Sequence, residues 1–164
     1  SHGTVKGKKY IGGLVGINRE TIINSFTEII VEGDMISGGF IGNNLGTILN
    51  SYSLGNVQGN SNTIGGFVGK NENSIQNSYS ISNVAGESVV GGFFGLNGGS
   101  IANSFFDQTN VICTSVEDIC NLENFALESQ LKNQDWLINN NWDFATVWKF
   151  EEGNNNGYPV IHWQ

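Results

Sequence analysis

The chain predicts an all-β fold: a β-solenoid (parallel β-helix) of about four rungs of 26–27 residues with three short strands each, followed by a mixed α/β C-terminal cap. Three observations predict it. A glycine phrase occurs four times, as Gly12-Gly13-Leu14-Val15-Gly16, Gly38-Gly39-Phe40-Ile41-Gly42, Gly65-Gly66-Phe67-Val68-Gly69 and Gly91-Gly92-Phe93-Phe94-Gly95, with starts 26, 27 and 26 residues apart. Twelve residues after each first glycine stands a second phrase, Asn24-Ser25-Phe26, Asn50-Ser51-Tyr52, Asn77-Ser78-Tyr79 or Asn103-Ser104-Phe105. Seven residues beyond the asparagine, three units add Val31-Glu32-Gly33, Val57-Gln58-Gly59 and Val84-Ala85-Gly86. A propeller blade needs about 40 residues for its four strands, more than this period supplies.

Each repeat divides in the same way. The first strand is the glycine phrase, running to Asn18, Asn44, Asn71 or Asn97. The second starts at Ile22, Ile48, Ile75 or Ile101 and runs through the aromatic residue, and the third ends at Val31, Val57 or Val84. On an extended strand Ile22, Asn24 and Phe26 point the same way, which predicts an inward isoleucine, an inward asparagine ladder and an aromatic ladder of Phe26, Tyr52, Tyr79 and Phe105. Between them Ile23, Leu49, Gln76 and Ala102 vary, which marks the solvent side. The one extra residue of the second repeat falls around Asn60-Ser61-Asn62, where an outward loop would absorb it.

In the fourth repeat Asn110 and Ile112 stand where valine and glycine are due, so the repeat is expected to fail there. All four tryptophans and both cysteines come later. The chain therefore divides into repeats over 1–105 and a capping region over 106–164 that covers the open end of the stack. Residues 125–137 have partial helical spacing, residues 142–150 suggest one or two short strands, and the sequence from Gly157 to Trp163 suggests a turn and a last apolar strand. Ser1-His2 reads as a tag remnant. Val5-Lys6-Gly7 lies 26 residues before Val31-Glu32-Gly33, so the chain is expected to open on the tail of a preceding repeat.

Composition agrees with many short strands and tight turns: 23 glycines and a single proline, Pro159. The net charge of −8, from 15 acidic and 7 basic residues, supplies no basic stripe, so nucleic acid is not an expected partner. No apolar run approaches the roughly 20 residues that span a bilayer. The chain is expected to be a monomer.

Catalytic, cofactor and metal residues are each expected to be none, and the ligand site stays unknown. The histidines are His2 and His162, without His-Glu-x-x-His spacing; His162 reads as an edge-strand residue rather than a general base. Glu20, Glu32, Asp34, Glu72, Glu87 and Asp107 are scattered among turns and read as solvated charges, with turn-bound calcium the alternative. Arg19 is the only arginine. Cys113 and Cys120 are expected to pair as a disulfide in an exported protein, the rival readings being free thiols or two ligands of an incomplete metal site. The late tryptophans and tyrosines read as core of the cap, a sugar-stacking platform being the alternative.

The glycine phrase, the Ile-x-Asn-Ser-aromatic phrase and Val-x-Gly together resemble the GLUG motif of bacterial surface and secreted proteins. Trp142-Asp143-Phe144, Val147-Trp148-Lys149 and Gly157-Tyr158-Pro159-Val160 through Trp163 look like the end segment that often follows such repeats. The resemblance implies a non-catalytic extracellular or cell-surface module of a bacterium, an adhesin or stalk that meets a host surface protein or glycan. The alternatives are a glycan-binding or glycan-active β-helix and an accessory region of a secreted peptidase.

Overall fold

A computed structural model describes residues 3–59, 63–107, 109, 111–113, 119–121 and 124–163; at 111–113 and 119–121 only the backbone is described. His2 and the Asn60-Ser61-Asn62 loop lie outside the described residues, as do the side chains of Cys113 and Cys120.

The repeats form a parallel β-solenoid of about four turns. β1 (Thr4–Gly7) stacks on β5 from one turn earlier, as the end of a preceding turn, and the first turn comprises β2 (Tyr10–Gly12), β3 (Val15–Asn18), β4 (Thr21–Ile23) and β5 (Phe26–Gly33). The second holds β6 (Ile36–Gly38), β7 (Ile41–Asn44), β8 (Thr47–Leu49) and β9 (Tyr52–Gly59). The third holds β10 (Thr63–Gly65), β11 (Val68–Asn71), β12 (Ser74–Gln76), β13 (Tyr79–Ser80) and β14 (Asn83–Gly86). The fourth holds β15 (Val89–Gly91), β16 (Phe94–Asn97), β17 (Ser100–Ala102), β18 (Phe105–Asp107) and β19 (Val111–Cys113). Three strand regions per turn are present, the first bent at its glycine pair into two pieces such as β2 and β3. Equivalent residues lie over one another, for example Val15, Ile41, Val68 and Phe94, and Val5 lies over Val31.

The glycine pair is set by close backbone approach. A Cβ on Gly39 would stand 2.2 Å from the Gly66 carbonyl oxygen, and one on Gly66 would stand 2.2 Å from that of Gly92. Beside this corner Phe40, Phe67 and Phe93 stack at centroid separations of 4.8 and 4.9 Å, entirely buried with Ile48 and Ile75. Thr27 Oγ1 and Ser53 Oγ donate to the corner carbonyls of Gly39 and Gly66 at 2.8 and 2.9 Å, so the interior hydroxyls are satisfied.

Two expectations about parity are corrected. The second strand does not run through the aromatic residue. It breaks at Asn24, Asn50, Asn77 and Asn103, whose φ values of 47–49° are left-handed; asparagine tolerates that region better than other residues with a side chain. This one-residue bend resets the alternation, so Ile22 and its equivalents face inward, whereas Phe26, Tyr52, Tyr79 and Phe105 stand on the outer face of the next strand region. The asparagine ladder belongs instead to the residues ending the first region. Asn18 Nδ2 donates to Asn44 Oδ1 at 2.9 Å, Asn44 to Asn71 at 2.8 Å, and Asn71 to Asn97 at 2.8 Å. At the corner it is serine that links turns: the backbone N–H groups of Ser25, Ser51 and Ser78 donate to Ser51, Ser78 and Ser104 Oγ at 3.3, 3.2 and 3.1 Å.

A left-handed corner makes a prediction. Asn50→Ala is expected to cost about 1 kcal/mol, the penalty for a Cβ there without a locally bonding side chain, whereas Asn50→Gly stays within a few tenths. Paired urea titrations check the order, and equal losses would contradict the backbone explanation.

The fourth turn also departs from expectation. It does not fail but carries one extra residue, placing Val111 over Val84 and Cys113 over Gly86. The chain then adds β20 (Ile119–Asn121) over β15 and β21 (Phe125–Ala126) over β18, skipping the two faces between. This short cut and the buried ring of Phe106, which stands where earlier turns have Thr27, Ser53 and Ser80, close the end of the core. Only the first part of 106–164 thus closes the stack.

The remainder lies along the flank. It comprises α1 (Glu128–Leu131), α2 (Gln134–Asn139) and an antiparallel pair of β22 (Trp148–Lys149) and β23 (Val160–Ile161). Asn133 starts α2 by accepting from Trp136 N–H at 2.9 Å. Leu131, Leu137, Trp142, Trp148 and Ile161 bury the outward aromatic ladder. Indole N–H groups tie both ends: Trp142 donates to the Asn103 carbonyl at 2.9 Å and Trp163 to that of Asn24 at 3.0 Å. The segment therefore acts as a brace across all four turns.

Candidate functional site

Where the brace meets the outer face of β5, β9 and β14, a groove remains. Its floor is Leu54, Ile81 and the edges of Phe26 and Tyr52, its polar rim is Glu28, Asn56 and Asn83, and its far wall is the loop Gly153–Asn156; the volume is about 520 Å³. Ile81, Asn83 and Asn156 also border an adjoining recess of about 300 Å³ formed with Asp107, Thr109, Glu128, Lys132 and Tyr158. Alternation on the long strands explains this lining. Val31 and Thr27 point into the core, which leaves Phe26 and Glu28 outside, and in the next turn Val57 points inward and Asn56 outward.

The recess is held by hydrogen bonds. Buried Asp107 accepts from Thr109 N–H at 2.9 Å, from Thr109 Oγ1 at 2.8 Å and from the Tyr158 hydroxyl. Lys132 Nζ lies 2.6 Å from Glu128 Oε1 and 4.6 Å from the Tyr158 ring centroid. Beside it the Tyr79 hydroxyl donates to the Pro159 carbonyl at 2.6 Å and accepts from Asn155 Nδ2 at 2.7 Å. Burial raises the pKa of Tyr79 well above the ordinary tyrosine value, and burial together with Asp107 raises that of Tyr158.

Both tyrosines hold their protons more tightly when folded than when unfolded. Their contribution is complete below the unfolded value near pH 10 and is lost as the pH rises above it, by up to about 1.4 kcal/mol per pH unit for each hydroxyl. Urea midpoints between pH 8 and 11.5 are expected to fall above pH 10, and Tyr158→Phe should flatten that fall. An unchanged slope in the variant would contradict the assignment.

A second concavity, a trough of about 740 Å³, runs along the stack where the long strands end. Gly7, Gly33, Gly59 and Gly86 lie along it, with Lys6, Lys8, Glu32, Asp34 and Glu87 beside them. Lys6 Nζ pairs with Glu32 Oε2 at 2.7 Å. Of the acidic residues noted in the sequence, Glu32, Asp34 and Glu87 thus share one feature although they read as scattered. Asp34 and Glu87 each follow the glycine that ends Val-x-Gly, a signal visible once the repeats are aligned. Both side chains are exposed, unlike the general acid of a glycosidase, which sits in an apolar pocket.

No family model, curated protein or solved structure matches the chain.

The other residues singled out in the sequence lie apart. Glu72 accepts from Asn43 Nδ2 at 2.9 Å and meets Lys70 at 3.1 Å; these partners hold its carboxyl below the usual value. Arg19 and Glu20 are exposed at the turn before β4. His162 is exposed, with its backbone N–H donating to Val147 O at 2.8 Å. It lies near Asp143, whose carboxylate is lowered chiefly by hydrogen bonds from Thr146 and Ala145. Trp142 and Trp148 are buried. Among the described residues no group of three or more His, Cys, Asp or Glu could hold a metal, and no helix is long and apolar enough to cross a membrane. Sequence reasoning missed the groove because its two walls come from repeats and brace, residues separated by about 70–130 positions.

Proposed function

We propose that the chain is a non-catalytic extracellular module of a bacterial surface or secreted protein, a stiff stalk that displays its outer face for adhesion. The observation that supports this most is the brace. Four turns already share backbone pairing and side-chain ladders, and one segment then ties the first turn to the fourth through Trp163 and Trp142. Such a rod resists bending and peeling, because separating any turn also breaks its flank contacts. Outward positions vary freely without disturbing the ladders, as Ile23, Leu49, Gln76 and Ala102 do. The GLUG-like repeats are consistent with a role outside the cell.

Single-molecule pulling along the stack tests the mechanical part: one cooperative rupture is expected, and stepwise low-force peeling of turns would overturn it. Beads coated with the chain are expected to be held on host-cell layers against flow more strongly than bare beads. Release at the same shear would overturn the adhesive part.

A further inference from the structure

We propose that the groove between the long strands and the Gly153–Gly157 loop binds a neutral saccharide. The inference rests on the display reading only for its biological setting.

Its amides carry the argument. Asn56 and Asn83 are paired across adjacent turns, and Asn83 Nδ2 donates to Asn56 Oδ1 at 3.0 Å. That bond orients both amides and leaves the Asn56 N–H₂ and the Asn83 carbonyl oxygen without protein partners among the described residues. Asn156, on the opposite wall, adds a third amide with no side-chain bond among them. A primary amide offers donors beside an acceptor, which matches vicinal hydroxyls, each of them both donor and acceptor.

The rest of the groove narrows the class. Leu54 and Ile81 supply an apolar floor for the C–H face of a sugar ring. The aromatic rings do not serve as stacking platforms: Tyr52 is stacked between Phe26 and Tyr79 at 5.1 and 4.8 Å, so the groove meets ring edges. The whole chain carries −8, so anionic glycans are repelled. The volume of about 520 Å³ falls in the range of small-molecule sites.

The opposite wall is shaped in advance. Gly153, Asn155, Asn156 and Gly157 all have positive φ, between 47° and 83°, and Asn155 Nδ2 is anchored on the Tyr79 hydroxyl. A loop fixed in this way holds the groove open and spares the ligand the cost of ordering it.

A printed array of neutral, sialylated and sulfated glycans, followed by titration of the best-retained oligosaccharide, tests the proposal. Retention is expected for neutral members only. Asn83→Ala and Asn156→Gly should each weaken binding by about fivefold, the loss of one hydrogen bond or so, while Glu87→Gln in the trough leaves it unchanged; glycine removes the Asn156 amide and keeps the left-handed φ of 49°. Circular dichroism and thermal unfolding verify each fold. Should Asn83→Ala disturb the ladder, Asn156→Gly in the exposed loop carries the test alone. No retained neutral glycan, retention of anionic glycans alone, or affinities unaltered in the folded variants would each overturn the site, and none of these results bears on the mechanical reading.

Discussion

Phe67→Ala is expected to remove about 4 kcal/mol of stability, within the range for emptying a buried phenylalanine site. Phe67 is fully buried at the middle of the interior stack, 4.8 Å from Phe40 and 4.9 Å from Phe93. Truncation leaves both neighbours facing a void, and the backbone cannot close it, because ladder pairing on either side fixes the rung spacing. A loss of this size is a large fraction of the roughly 5–15 kcal/mol that holds a domain folded. Leu14 occupies the same position in the first turn but is 44% exposed, so Leu14→Ala should cost under about 1 kcal/mol. Guanidinium unfolding of the two variants provides the comparison, and similar losses would show that the aromatic stack is not the core.

Trp148→Ala should destabilise by a comparable amount, about 3–5 kcal/mol, but its damage should be localised. Trp148 is fully buried between brace and flank, with ring centroids 6.1 Å from Tyr52, 5.8 Å from Tyr79 and 4.6 Å from Trp142. Without it the brace loses its centre. Amide exchange should rise through residues 127–163 while β7 and β11, beside the Phe40–Phe67 stack, stay protected. Among the described residues the indole N–H of Trp148 is also buried without a hydrogen-bond partner, an arrangement that costs about 1–3 kcal/mol. Trp148→Phe removes that donor together with part of the ring, so its net loss should be clearly smaller than that of alanine. Uniform exchange across the whole chain in Trp148→Ala would instead mean that stack and brace unfold as one unit.

How far the site could be read in advance follows from where its residues come from. Asn56 and Asn83 occupy equivalent positions 27 residues apart, so their pairing was implicit in the repeat. Asp34 and Glu87 were likewise recoverable by aligning the repeats. Nothing in the repeat places Asn156 or Tyr158 beside them, since the brace has no period. The side chains of Cys113 and Cys120 lie outside the described residues, so their pairing stays an expectation, with backbones in β19 and β20.

The amino-acid sequence alone determined the stack, its period and the members of the aromatic ladder, because in a solenoid each residue meets its own counterpart one turn away, and a recurring phrase is already a contact map. Tertiary structure decided which asparagines form a ladder and which way the aromatic ladder faces. A single left-handed asparagine per turn reverses the alternation that an unbroken strand would keep, and so puts Phe26, Tyr52, Tyr79 and Phe105 outside. Only there do they present apolar surface that residues 128–163 can bury, which is why most of the C-terminal segment lies along the flank and not across the end.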